Sequence, residues 1–314
     1  MQANKATMLD TQRPDSSSIL DRYLANLSVE VEPFALCLLQ FGWRLTLPGP
    51  PCAMLHFVVR GDGWLSCPDG SHTQIGPNWL IVIPTGTVHS LETPEQFEHE
   101  LKIDCTPTGP PVHHIVAGES PAEMVVGCGT LNVRYGEAVG LFDHLAEVLV
   151  VDLSSVPEVP ALFQSLIQEQ TSGAPGTPVL QGAIMTQLMI HMLRALAAQS
   201  DSNLAWLNAL DDPRLARAID QILENPFAPH TVESLAESVN MSRSAFARHF
   251  QDAFYNSPMK LVNQVRLERA ARMLNSSTLP VERIAQRCGF SSRSHFSKAF
   301  KRHTGLSPAE FRSH

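Results

Sequence analysis

No CxxC pair occurs in the chain. Its 6 cysteines stand singly, which fits a reduced cytoplasmic protein better than a disulfide framework. The opening residues, MQANKATMLDTQRPDSSS, contain no apolar core, so they do not read as a signal peptide. The longest apolar-rich stretch, VLQGAIMTQLMIHMLRALAA at 179–198, is interrupted by Gln181, Gln187, His191 and Arg194 and makes a poor membrane span. No nucleophile–base pair and no phosphate-binding glycine loop stands out. The expectation is therefore a protein that is not an enzyme, with no catalytic residues and no cofactor. The composition, 44% apolar and 17% charged, is ordinary for a globular chain, and 314 residues leave room for two domains.

The charge is not evenly spread. The formal net charge of −8 combines 8 Lys+Arg against 23 Asp+Glu in residues 1–213 with 15 against 8 in residues 214–314. A segment of net +7 inside an acidic chain points to a polyanion partner for the last hundred residues.

Short β-type runs fill residues 34 to about 126: ALCLLQF, MLHFVV, WLSC, NWLIVIP and ELKIDC. Between them RGDG, CPDGS, GPN and PTG carry turn chemistry, because Pro presets φ and Gly accepts positive φ. Many short strands at this spacing predict a sandwich or barrel. After Val139 the pattern turns helical, with VPALFQSLIQEQ, the loop SGAPGTP and the helix at 179–198. On that helix Gln187, His191, Arg194 and Ala198 make one narrow polar face. Leu180, Ile184, Met185, Leu188, Met189, Met192, Leu193 and Leu196 cover the rest. So apolar a helix is a dimer seam or is packed within its own chain, and Leu188 and Met192 are the seam candidates. The organisation expected is a tail at 1–17, a β-rich domain running into helices at 18–175, a helical dimerisation or linker region at 176–209 with QSDSN as linker, and a basic domain at 210–314.

The basic domain repeats itself. SRSAFARHF at 242–250 and SRSHFSKAF at 292–300 share their Ser, Arg, Ser, Phe and Phe spacing. Each follows a short helical run, TVESLAESV or VERIAQRCGF, across a tight turn holding Asn240 or Gly289. Both residue types tolerate the left-handed conformation, and Ser242 is placed to cap its helix. The result is helix-turn-helix twice, at 231–254 and 281–302. Phe246 and Phe250, and Phe296 and Phe300, make the buried stripes. Arg243, Ser244, Ala247, Arg248 and Gln251 face outward on the first copy. Arg293, Ser294, Ser297, Lys298 and Lys301 do so on the second. Residues 257–274 form one helix-length run between the copies, about 27 Å if fully helical. That rod sets two recognition helices roughly one turn of B-DNA apart.

These residues resemble the AraC/XylS transcription regulators over about a third of the chain. MSRSAFARHF, NSPMKLVNQVRLERAARML, VERIAQRCGFSSRSHFSKAFKRHTGLSP and PAEFR carry the resemblance. It implies a sequence-specific regulator of double-stranded DNA, with Arg248 and Lys298 as principal contacts helped by Arg243, Ser244, Arg293 and Ser294. RNA polymerase and a second copy of the chain join the expected partners. One departure is Tyr255 in AFYNSP, where the second copy has Gly305 in HTGLSP; Asn256 is then expected to take the left-handed residue.

In the N-terminal half GPNWLIVIPTGTVH, of form G-x6-P-x-G-x2-H, resembles the second cupin motif, and LHFVVRGDGWL resembles a degraded first one. The fold class expected is α+β: a cupin-like β-barrel followed by helices, then an all-α domain with two helix-turn-helix motifs. A metal-binding cupin needs several converging N and O ligands. Here the first motif offers His56, followed by Phe57 and Val58, with Arg60 near the acid's place, and the second offers His89. His99, His113 and His114 are further candidates, although neighbours in one strand face opposite ways. The expectation is no metal and a small-molecule effector met by His56, Arg60, Trp64 and His89. The alternatives are a redox regulator using Cys37, Cys52, Cys67, Cys105 or Cys128, and a cupin enzyme fused to a DNA-binding domain.

Overall fold

A computed structural model describes residue 24 and residues 27–31, 34–93, 96–104, 114–119, 121–135, 139–143, 145–198 and 212–313. The expected tail at 1–17, the linker at 199–203, Cys105 and His113 lie outside these residues. The chain forms two compact units, one of Leu27–Ala205 and one taking in Trp206–His314.

The N-terminal unit holds two sheets. Strands β1 (Leu27–Val31), β2 (Ala35–Leu39), β3 (Trp43–Leu47), β4 (Met54–Arg60), β5 (Gly63–Ser66), β6 (His72–Ile75) and β7 (Trp79–Ile83) come first. β8 (His89–Glu92), β9 (His99–Lys102), β10 (His114–Ala117), β11 (Met124–Tyr135), β12 (Val139–Gly140) and β13 (Leu149–Asp152) follow. One sheet runs β10-β2-β11-β4-β7-β13, with β1 and β12 also on β11; the other runs β6-β5-β8-β3-β9. The expected barrel is thus two separate sheets. Their inner faces share one apolar core, with Leu39, Leu45, Met54, Val58, Ile81, Leu91 and Val126 among its residues. Alternation places this set because residues two apart in a strand face the same side.

Strand structure also runs further than the pattern to Val126 indicated. β11 continues to Tyr135, through Gly127 and Gly129. Gly127 is there for packing: it pairs with Phe57, and a Cβ on it would lie 2.0 Å from the Phe57 ring. The ring covers the glycine and faces helix α1 (Val159–Ser172), stacking on Phe163 at 4.9 Å between centroids.

Helix α2 (Thr177–Ala197) packs on α1 and β1. Its Met185, Leu188, Met189, Met192, Leu193 and Leu196 are buried within the chain, and Gln187, Arg194 and Ala198 are exposed as the pattern predicts. This corrects the seam expected at Leu188 and Met192: both are covered by their own unit. The helix is long and apolar enough to cross a membrane by composition, with mean hydropathy 1.2. Its apolar residues form a protein core instead. The exposed apolar side chains are at its start, Val179 and Leu180.

In the second unit α3 (Pro213–Glu224) begins at Asp212, whose carboxylate accepts from the Arg214 backbone N–H. Then come α4 (Val232–Ser238), α5 (Arg243–Phe254), α6 (Pro258–Ser276), α7 (Val281–Arg287), α8 (Arg293–Thr304) and α9 (Pro308–Ser313). Ser242, Ser257 and Ser292 cap α5, α6 and α8 through their side-chain oxygens, each worth about 1 kcal/mol. Thr231 and Ser234 form a capping box at the start of α4.

Candidate nucleic-acid interface and the interior of the N-terminal unit

Each recognition helix is held by a row of phenylalanines. Phe246 stacks on Phe250 at 5.6 Å and Phe250 on Phe254 at 4.8 Å. In the second copy Phe290, Phe296, Phe300 and Phe311 make the corresponding chain, with centroids 5.2–5.4 Å apart. With that face buried, the opposite face must point outward. Arg243, Ser244, Arg248 and Gln251 are exposed on α5, and Arg293, Ser294, Lys298 and Lys301 on α8; Ala247 and Ser297 are half-buried between them. Asn240 and Gly289 both take positive φ, 56° and 76°, so the two turns share one backbone solution. The expected shift at Tyr255 does not occur. Tyr255 itself adopts φ 50°, ψ 22°, because buried Phe254 and the Ser257 cap leave two residues for the turn. Gly305 holds that place in the second copy at φ 80°.

Helix α6, 19 residues and about 28 Å long, links the copies. Its Arg266 was not singled out from the sequence. The guanidinium donates to Pro226 O and Ala228 O at 2.8 Å, in the loop ahead of α4. Its other side lies against Gly289, where a Cβ would meet the guanidinium carbon at 3.2 Å. One half-buried cation therefore ties the first copy's loop to the second copy's turn. A guanidinium reads as a solvated charge in sequence; only packing shows it as a clamp. His303 of α8 also meets Glu268 of α6.

Inside the N-terminal unit His56 and His89 come together, Nε2 to Nε2 at 2.6 Å. His89 Nδ1 lies 3.1 Å from Thr87 O. If Nδ1–H donates there, His89 Nε2 accepts from His56 Nε2–H, and this leaves His56 Nδ1 bare; that atom is buried without a partner. Burial holds both rings neutral: His89 is lowered to about 4, and His56 lies well below its usual range, with the neighbouring ring adding to the effect. Arg60 and Trp64 do not join them. Arg60 is exposed and donates to Ala122 O at 3.0 Å, and Trp64 packs edge-on against His72. His99 stacks on Trp43 and His114 is exposed. Among the described residues no group of three or more His, Cys, Asp and Glu is placed to hold a metal. On the outer side of β4 a cavity of about 490 Å³ opens against α1, lined by Val59, Asn78, Phe163, Gln164, Ile167 and Gln168 among others.

Two families match this chain: a helix-turn-helix domain over residues 235–314 and a cupin over residues 10–198. An uncharacterized HTH-type transcriptional regulator of Haemophilus influenzae is 30% identical over 260 residues, 82% of this chain and 85% of that one. The chain belongs to the AraC-type helix-turn-helix transcriptional regulators with an N-terminal cupin domain. The RCS-specific HTH-type transcriptional activator RclR of Escherichia coli K12 is 28% identical over 281 residues, 88% of this regulator and 90% of that one. A solved AraC-type DNA-binding regulator of Chromobacterium violaceum is 31% identical, covering 34% of this chain and 95% of that one, with a TM-score of 0.32. The two exposed helix faces lie within the segment that the helix-turn-helix family matches.

Proposed function

We propose that this regulator reads two short DNA boxes about one helical turn apart, with α5 in one major groove and α8 in the next. The observation that carries the reading is the pair of exposed polar faces, each backed by buried phenylalanines and joined by one continuous helix. Arg248 and Lys298 reach base edges, where Arg and Lys recognise guanine. Arg243, Ser244, Ala247, Gln251, Arg293, Ser294, Ser297 and Lys301 complete the two surfaces. The chain works in the cytoplasm, not as an enzyme, and its output passes to RNA polymerase.

The N-terminal unit responds to a small-molecule effector. The groove between β4 and α1 supports this, since its volume lies within the range of small-ligand sites. Its lining of apolar and amide side chains suits an uncharged, partly apolar molecule. β4 connects the groove to the interior: Val59 lines the groove, and His56 three residues earlier faces the core with His89. Arg60 and Trp64, expected to meet the effector, do not line this groove. A second copy of the chain would gain burial at the exposed Val179 and Leu180.

A genome-wide map of DNA bound by the full-length protein, followed by footprinting of the recovered sites, tests the reading. Two protected boxes at about one-turn spacing are expected. A single box, or protection without sequence preference, would refute it. Sedimentation of the wild type and of Val179→Asp/Leu180→Asp tests the dimer.

A further inference from the structure

Cys37 and Cys128 bring their Sγ atoms to 2.7 Å inside the N-terminal unit. They lie on neighbouring antiparallel strands, offset diagonally: Cys37 is opposite Val126, and Cys128 is opposite Ala35. Both are buried, at 0% and 4% exposure, in a core otherwise made mainly of aliphatic side chains. Val or Ala at either position would serve packing as well, since a free thiol packs as a small hydrophobe. Packing does not require two thiols on adjacent strands aimed at one point. It also leaves unexplained that His56 stands directly opposite Cys128 on β4. The remaining described cysteines are placed differently: Cys52 and Cys67 are at least partly exposed, and Cys288 packs on Met273 in the other unit.

We propose that Cys37 and Cys128 form a reversible intramolecular disulfide that reports small electrophilic oxidants to the DNA-binding half. The proposal rests on the regulator reading above and adds a second input to it. The oxidant is a small uncharged two-electron acceptor of the peroxide or hypohalous acid class, because bulky disulfides do not reach a buried thiol. One thiol takes up OH from a peroxide or halogen from a hypohalous acid, and water leaves. The sulfur of the second thiol attacks that sulfenyl sulfur. The S–S bond forms as S–O or S–halogen breaks, and water or hydrogen halide carries away the proton. Two thiols lose two electrons and two protons in all.

Closing the bond has a mechanical consequence. Diagonal neighbours on antiparallel strands sit roughly 7–8 Å apart at Cα, whereas disulfides usually join Cα atoms at about 4.4–6.8 Å. Oxidation therefore draws β2 and β11 together. β11 is the strand on which β1, β2, β4 and β12 all pair, and α2 packs on β1. A shift there reaches the helical face of the unit.

The test uses full-length reduced protein exposed to hydrogen peroxide or hypochlorous acid in separate arms. Unreduced peptides are mapped by mass spectrometry, and affinity is measured for promoter DNA recovered from the bound-DNA map. In at least one arm the Cys37–Cys128 peptide pair should appear, and DNA affinity should change by about five-fold or more, the lower end of allosteric couplings. Dithiothreitol should reverse both. Cys37→Ala and Cys128→Ala should each abolish the response, and Cys52→Ser/Cys67→Ser should keep it. Cys128→Val, which refills the volume, replaces an alanine variant that melts early. Oxidation of other residues without this peptide pair in both arms, or the pair without any change in affinity, would overturn the proposal. Reduced protein that fails to bind the recovered DNA would count against the regulator reading, because the peptide pair is scored without DNA.

Discussion

The two helix-turn-helix copies agree inside and differ outside. Each has a serine cap, a left-handed residue in its turn and a pair of phenylalanines four apart, all buried or backbone-dictated features. Their surfaces diverge. Residues 231–254 carry 2 Lys+Arg and 3 Asp+Glu, a net of −1, while residues 281–302 carry 6 and 1, a net of +5. Within the first copy Arg243 is drawn to Glu233 at 2.8 Å. The second turn is one residue longer, with Phe290 and Ser291 where the first has Met241. The lesson is a division of constraint. The core repeats because two helices of this length cross in one way only when the same volumes fill the gap. The surface is free to differ because two DNA boxes need not be read alike. We propose that the second copy is the electrostatic anchor and the first a reader with little net attraction of its own.

The largest expected effect comes from breaking what the copies share. Phe250→Ala and Phe300→Ala should each cost about 3–5 kcal/mol, the range for an aromatic removed from a packed core. Hydrogen exchange should show lost protection mainly in the half that carries the change. Equal loss in both halves would make the copies one cooperative block. Next is the clamp between them. Arg266→Ala removes two charge-assisted bonds and should cost about 2–3 kcal/mol in denaturant unfolding. It should also weaken operator binding, although neither recognition helix is altered.

The surfaces come third. Arg248→Ala and Lys298→Ala should each relax discrimination in their own box by roughly 1–3 kcal/mol, read by competition with mutated sites. Lys301→Ala should lower the slope of log affinity against log salt by about 0.9 if it meets phosphate. Arg248→Ala, if its contact is to a base, should leave that slope nearly unchanged. Equal slopes for the two copies would erase the proposed anchor. The smallest effect is at the left-handed helix ends. Gly305→Tyr should destabilise by about 1–2 kcal/mol, the cost of a Cβ in that conformation, and Tyr255→Gly should change stability by less than about 1 kcal/mol. Thermal unfolding of both variants measures the difference.

Most of the second unit was legible as sequence because its signals are local. Caps, turn residues and apolar spacing act within a few positions, so the spacing of SRSAFARHF already separates the buried Phe250 from the outward Arg248. The first unit was legible only in part. The strands at 35–39, 54–60 and 79–83 follow from their apolar runs, but β11 hides behind Gly127 and Gly129, and a glycine covered by a ring 70 residues away cannot be told from a turn glycine. Leu188 and Met192 likewise carry no mark of what buries them. An apolar face is the same residue pattern whether a second chain covers it or β1 and α1 do.

What the sequence by itself determined was the kind of protein: a basic, twice-repeated helix-turn-helix segment after an acidic β-rich one. Charge and periodicity are properties of neighbouring residues, and the chain carries them before it folds. Only the tertiary structure decided that Arg266 is a clamp rather than a solvated cation. It alone paired His56 with His89 and Cys37 with Cys128. Those meetings join residues 33 and 91 positions apart, and strand register, set by the packing of the whole sheet, brings such distant residues face to face.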